Sequence, residues 1–336
     1  MTKHAAANLA LDLAPKLDER EEQFRIESPH PGLSLFLRHL PPAHAAAGAP
    51  RVVLYVHGGT FPSALSIAHR FDGRSWRDDL SDRGFHVWGL DFHGFGDLSD
   101  PYPEMAGPAE AVAPLGRADD ASRQIEQAFR FIAARHGGVR ISIIAHSWGS
   151  IASGRFAGRC PDLVDRLVFF GPIAWRQPSA PAQRLPGWRL ITLKDQWERF
   201  TETVPPGAAP VLLERHFAEW GQGYLAVDRD STSRTPPAVK VPSGAFQDIY
   251  DAWSGALAYD PALIAAPVAI IRGEWDSMCT DADARWLFDA FTSSPLKRDI
   301  KIGRATHLMH LESGRFALYR ETAAFLLGGD GGPAAI

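Results

Sequence analysis

Ile141-Ser142-Ile143-Ile144-Ala145-His146-Ser147-Trp148-Gly149-Ser150 decides how the rest of the chain is read. Residues 141–144 have the composition of a buried strand. They run directly into a serine flanked by small residues, and a segment of helical character follows from Trp148 to about Arg159. The reading is strand, tight turn, helix. A turn this sharp forces Ser147 into a strained backbone angle and lifts its hydroxyl clear of the sheet edge. Ala145 and Gly149 occupy the two positions where a bulkier side chain would clash. The common form of this turn is G-x-S-x-G; here alanine stands at the first glycine.

On either side, strands and helices alternate. Phe24 to Pro29 and Leu33 to His39 read as two strands around a Pro-Gly turn, after a loose or helical leader over 1–23. Val52 to Val56 is a continuous apolar run, as in a strand buried on both faces. Ser75 to Arg83 is a short amphipathic helix, and Phe85 to Leu90 the next strand. Asp119 to His136 carries Ile125, Phe129 and Ile132 at helical spacing. Arg166 to Phe170 is a strand. The rhythm then breaks over residues 173–260, which hold nine prolines, five of the ten tryptophans and no convincing apolar strand. It resumes with strands at Val268–Arg272 and Asp299–Ile302, and helices at Asp281–Phe291 and Leu311–Leu327. Such alternation implies a mainly parallel sheet covered on both faces, with core segments 24–172 and 261–328 and an insertion over the strand ends. Residues 329–336 read as a frayed tail.

Bulk properties exclude several classes. A net charge of −4 gives no reason to expect nucleic acid or an anionic membrane as partner. No apolar run reaches the roughly 20 residues of a membrane span. Asp12 interrupts the best apolar run near the N-terminus, which argues against a secretory signal, and the two cysteines read as free thiols in a reducing cytoplasm. Cys160 and Cys279 lie far apart and form no metal spacing, so free thiols are expected. No metal or cofactor is expected: Gly94-Phe95-Gly96 opens no helix and lacks the phosphate-cradling pattern.

A serine hydroxyl becomes a useful nucleophile only with a base in reach and a third group holding that base. Asp276, just past a strand end, is the acid candidate, with Glu274 as fallback. His307, between the final strand and the last helix that Glu312 opens, is the base candidate, with His310 as runner-up. Backbone N–H groups at Trp148 and in the loop after His57-Gly58 would hold a developing oxyanion. Gly59 is the expected second donor and Thr60 the alternative. His57 and His146 are expected to buttress these loops.

Taken together, His57-Gly58-Gly59, Asp91 to Gly96, Ala145 to Gly149, Asp276 and His307-x-x-x-x-Glu312 resemble the α/β-hydrolase superfamily over residues 30–172 and 262–327. The resemblance implies an eight-stranded sheet, a Ser147–Asp276–His307 triad and a helical lid at 173–260. Ser147-Trp148-Gly149-Ser150 is similar to the elbow of prolyl aminopeptidases. Thr60-Phe61 replaces the proline and glycine usual there, and His93 stands where many relatives have arginine.

The expected function is hydrolysis of a carboxylic ester, lactone or amide through an acyl-enzyme. The substrate is a small acyl molecule, and a homodimer stays open as the assembly. Thr60, Phe61, Trp175, Trp197 and Trp220 are the substrate-pocket candidates, and packing within the insertion explains its tryptophans equally well. Glu202, Glu214 and Glu219 could meet a substrate amine, or simply face water. A prolyl-type aminopeptidase is the second reading, and a non-catalytic small-ligand receptor the reading of another class. A lyase or cofactor-free oxygenase with the same triad also survives.

Overall fold

The computed structural model describes residues 13–44, 48–178 and 184–328. The first twelve residues of the expected leader and the expected tail lie outside the described residues. Strands β1 (Glu22–Glu27) and β2 (Ser34–Leu40) pair antiparallel across the Pro31-Gly32 turn. Then come β3 (Arg51–Val56), α1 (Trp76–Asp82), β4 (Phe85–Asp91), α2 (Ala118–Arg135), β5 (Ile141–His146), α3 (Gly149–Arg159) and β6 (Val164–Phe170). The next stretch holds β7 (Trp188–Thr192), α4 (Leu193–Thr201), α5 (Glu214–Ala226), β8 (Ala238–Pro242) and α6 (Gly244–Trp253). The chain returns with β9 (Val268–Gly273), α7 (Asp281–Ala290), β10 (Lys297–Ile302) and α8 (Arg315–Leu326).

Eight strands form one sheet in the order β1-β2-β4-β3-β5-β6-β9-β10. Only β2 runs against its neighbours; the pairings from β4 to β10 are parallel. Successive side chains of the continuous apolar strands feed opposite faces. Val53, Tyr55, Ile144 and Phe170 pack under Trp76 and Leu80 of α1 and Leu318 and Tyr319 of α8. Leu54, Val56, Ile143 and Phe169 pack under Ile125 and Phe129 of α2 and Ile151 and Phe156 of α3. Because β3 lies between β4 and β5, the sheet grows first one way and then the other. The crevice at such a reversal, outside the carboxyl ends of the strands, is where parallel sheets bind ligands.

Three features depart from expectation. The region between β6 and β9 does contain strands: β7 and β8 form a two-stranded antiparallel sheet of their own. Each is five residues long, and the two are joined through α4 and α5, so neither announces itself locally. The last helix starts at Arg315, because Met309–Leu311 form a tighter 3-10 turn instead. Glu312 therefore does not open it. The chain before β1 is also tied down where described. Glu21, 1% exposed, bonds Arg38 at 3.1 Å and Arg77 at 2.5 Å. Removing one member of such a buried ion group costs about 3–5 kcal/mol.

Candidate active site

Ser147 leaves the carboxyl end of β5 with φ +55°, a left-handed angle uncommon outside glycine. Hydrogen bonds fix the turn: the Ser147 amide donates to Phe170 O at 2.9 Å, and Ser150 Oγ donates to Ser147 O at 2.6 Å. A β-carbon at Gly149 would lie 2.6 Å from His57 O and 2.8 Å from Val56 O. Only glycine lets α3 start this close to the end of β3. That closeness sets the Gly58 loop against the serine, where a β-carbon on Gly58 would lie 3.3 Å from that of Ser147.

His307 follows β10, and Asp276 follows β9. Both oxygens of Asp276 lie 3.0 Å from His307 Nδ1. Asp276 Oδ1 also accepts the amides of Met278 at 2.8 Å and Cys279 at 3.0 Å. Both side chains are almost wholly buried. A carboxylate accepts, so Nδ1 carries the proton and Nε2 is the bare, basic nitrogen. Nε2 is buried and has no hydrogen-bond partner. The fallback acid, Glu274, is exposed and accepts the Arg304 amide at 2.9 Å. Ser147 Oγ makes no hydrogen bond among the described residues; nucleophile–base bonds often close only around substrate. The Gly59 and Trp148 amides donate to nothing among the described residues.

The neighbouring histidines are neutral supports. His57 accepts the Phe92 amide at 3.1 Å through Nε2, so its Nδ1–H donates to Gly58 O at 2.7 Å. His146 donates Nε2–H to His307 O at 3.1 Å, with the two rings 5.0 Å apart. Burial holds its pKa well below the ordinary value, and the nearby His310, His307 and Arg199 push the same way. His310, the runner-up base, has both nitrogens buried and unpartnered, and burial takes its pKa down to about 3. It packs on Phe61 and His146. Glu312 accepts the Thr306 amide at 3.2 Å and the Thr306 hydroxyl, and burial pushes its carboxyl up to about 7.

The pocket candidates separate. Phe61 meets Trp220 edge-on at 5.1 Å, and Trp220 stacks on Tyr224 and donates to Leu65 O at 2.9 Å. Trp197 packs on Phe217 and lines a cavity of about 380 Å³ within the insertion, together with Thr201, Val204 and Leu212. Trp175 stacks on Trp286 of α7. Neither that cavity nor one of about 490 Å³ beside Pro62 and Phe95 is lined by Ser147, Asp276 or His307. Thr60, 3% exposed, accepts from Arg199 at 2.6 Å.

Three supports escaped the reading of the sequence. Gly171, at φ +52°, lies where a β-carbon would meet His307 Nδ1 at 2.9 Å and Asp276 Oδ2 at 3.0 Å. Its signal was Gly-Pro directly after a strand. Asp248 of α6 accepts the Trp148 indole N–H at 2.8 Å. Arg199 of α4 is the third. Neither Asp248 nor Arg199 carries a local signal.

His39, His86 and His136, at the β2/β4 edge beside the end of α2, are the group among the described residues whose nitrogens are spaced to hold a metal ion. Their bonds argue otherwise. Glu22 takes His39 Nδ1 at 2.7 Å, and the Trp88 indole N–H needs His136 Nε2 at 3.1 Å as its acceptor. Metal on either nitrogen of His136 would leave that indole N–H without a partner.

Comparison with known proteins adds the relationship. Solved structures of similar fold include a serine hydrolase from the polyaromatic-hydrocarbon-degrading bacterium Cycloclasticus zankles, with TM-score 0.57 and 15% identity over 92% of this chain and 99% of that one. A thermophilic esterase from Thermogutta terrifontis gives 0.54 and 15% over 91% and 98%. A monoacylglycerol lipase from Paleococcus ferrophilus gives 0.53 and 17% over 87% and 98%. No curated protein matches the sequence. Residues 51–314 match the serine aminopeptidase S33 family, a stretch running from β3 past His307. The chain therefore belongs to that family, within the α/β-hydrolases.

Proposed function

We propose that this protein is a serine hydrolase acting on a carboxylic ester, lactone or amide through an acyl-enzyme, with Ser147, His307 and Asp276 as its triad. One observation carries the reading: a buried imidazole, held at Nδ1 by Asp276 and unpartnered at Nε2, on the same strand-end rim as a serine in a left-handed turn. Ser147 Oγ bonds to the acyl carbon as its proton passes to His307 Nε2. The leaving group takes that proton as its bond to the acyl carbon breaks. Water then gives a proton to Nε2 and attacks the same carbon. Release of the acid returns the proton to Ser147. The Trp148 and Gly59 amides hold the oxyanion at each tetrahedral stage. Residues 173–260 act as the lid.

The test is covalent labelling by a fluorophosphonate probe. The native protein is expected to label at Ser147 and Ser147→Ala not at all; labelling that persists in the variant rejects the assignment. The family relationship keeps aminopeptidase action as a second reading. That activity needs an anion for the substrate amine, and Glu202, Glu214 and Glu219 are all exposed. Turnover of aminoacyl anilides well above that of simple esters would favour it.

A further inference from the structure

The insertion brings a cation, not an anion, to the loop that follows β3. Arg199 projects from α4, and its Nη1 donates to Thr60 Oγ1 at 2.6 Å and to Gln196 Oε1 at 3.1 Å. Thr60 is the residue after Gly59, whose amide is the assigned oxyanion donor. Arg199 is half-buried, and no carboxylate lies within 4 Å of it among the described residues. Its Nε and Nη2 donate to nothing there. These two nitrogens form the edge of a guanidinium that grips a carboxylate with two parallel hydrogen bonds. Gln196 beside it is fully buried, its Oε1 taken by Arg199 and its amide facing the Tyr224 hydroxyl. The charged groups around Arg199 are Glu202, which is exposed, and Arg189. Two nitrogens of a half-buried guanidinium are thus left without a protein acceptor among the described residues.

Resting on the hydrolase reading, we infer that Arg199, held by Gln196 and Thr60, binds a carboxylate on the substrate, so the natural acyl group is anionic at its far end. Arg199 bonds the residue next to the assigned oxyanion donor, so the carboxylate ends a short acyl chain. It is not a distant tag. A second consequence follows for aminopeptidase action: an arginine at this position repels the ammonium group such a substrate would bring.

The simpler role for Arg199 is a tether that keeps α4 on Thr60. Two p-nitrophenyl esters separate the roles: hexanoate, and the monoester of adipic acid, which has the same six-carbon chain ended by a carboxylate. The native protein is expected to favour the adipate monoester in kcat/KM. Arg199→Gln is expected to lower the adipate-to-hexanoate ratio roughly 10- to 100-fold, the scale of one bidentate charged hydrogen-bond pair. Arg199→Lys should restore part of it. An unchanged ratio, with both esters slowed alike, would make Arg199 a tether and overturn the inference, as would a native preference for hexanoate. Binding supplies an arm independent of catalysis. The monoamide of adipic acid should raise the melting temperature of Ser147→Ala protein, and adding Arg199→Gln should remove that shift. If neither ester is turned over, fluorophosphonate labelling of Ser147 judges the hydrolase reading while this shift still decides the role of Arg199; no shift overturns it.

Discussion

The rim of the sheet and the insertion above it meet near Ser147, but different forces hold them. At the rim, each working group has short polar contacts that leave it one position. Ser147 is pinned through Phe170 O and Ser150, His307 through Asp276, and Asp276 through two amides. In the insertion, packing dominates. Phe200, Phe217, Trp220 and Tyr224 form a continuous aromatic cluster with ring centroids 5.1–5.9 Å apart. Directional bonds fix chemistry, whereas aromatic packing tolerates exchange of shape. Under the proposed function the difference assigns reaction type to the rim and substrate choice to the place where the insertion touches it.

Three substitutions test this division. Asp276→Asn should lower kcat about 10⁴-fold, the usual scale when such an aspartate loses its charge and spoils the histidine tautomer. Its urea midpoint should move far less than its rate. Activity within tenfold of native would show that another acid holds His307. Trp220→Ala should cost about 3–5 kcal/mol in urea unfolding, as for a large buried aromatic, yet leave Ser147 open to fluorophosphonate. Loss of labelling in folded Trp220→Ala protein would mean that the rim depends on the insertion for its geometry.

The smallest effect is expected at Glu312. Burial raises its folded pKa to about 7 from an ordinary 4.5. The folded state therefore holds the proton more tightly than the unfolded chain. Its contribution is fully present below about pH 4.5 and is lost as pH rises through 7, by up to about 3 kcal/mol. Native protein should lose stability between pH 5 and pH 8 by this amount more than Glu312→Gln. Parallel curves for the two proteins would rule out Glu312 as the source.

The rim was legible in the sequence because its signals are local. A buried strand announces itself by a continuous apolar run, and a residue just past its end is placed by counting. Counting places Ser147, Asp276 and His307 after β5, β9 and β10, and the fold has them there. The start of α8 was misplaced because Glu312 turns inward to Thr306, which breaks the helix for a contact that periodicity does not record. The insertion was poorly legible because its organisation is non-local. β7 pairs with β8 some fifty residues on, and Arg199 meets Thr60 across 139 positions.

Trp148 has one further consequence. Its backbone amide is the proposed oxyanion donor, while its indole is held by Asp248, which also accepts the Ala118 amide at 2.6 Å and pairs with Arg117. α6 is thus bolted to the body of the enzyme and behaves as a door jamb. If residues 173–260 act as the proposed lid, any swing that admits substrate falls to α4 and α5, whose latches on the frame include Arg199 to Thr60 and Trp220 to Leu65. A ligand that satisfies Arg199 would therefore also act on the latch, tying admission to the identity of the visitor.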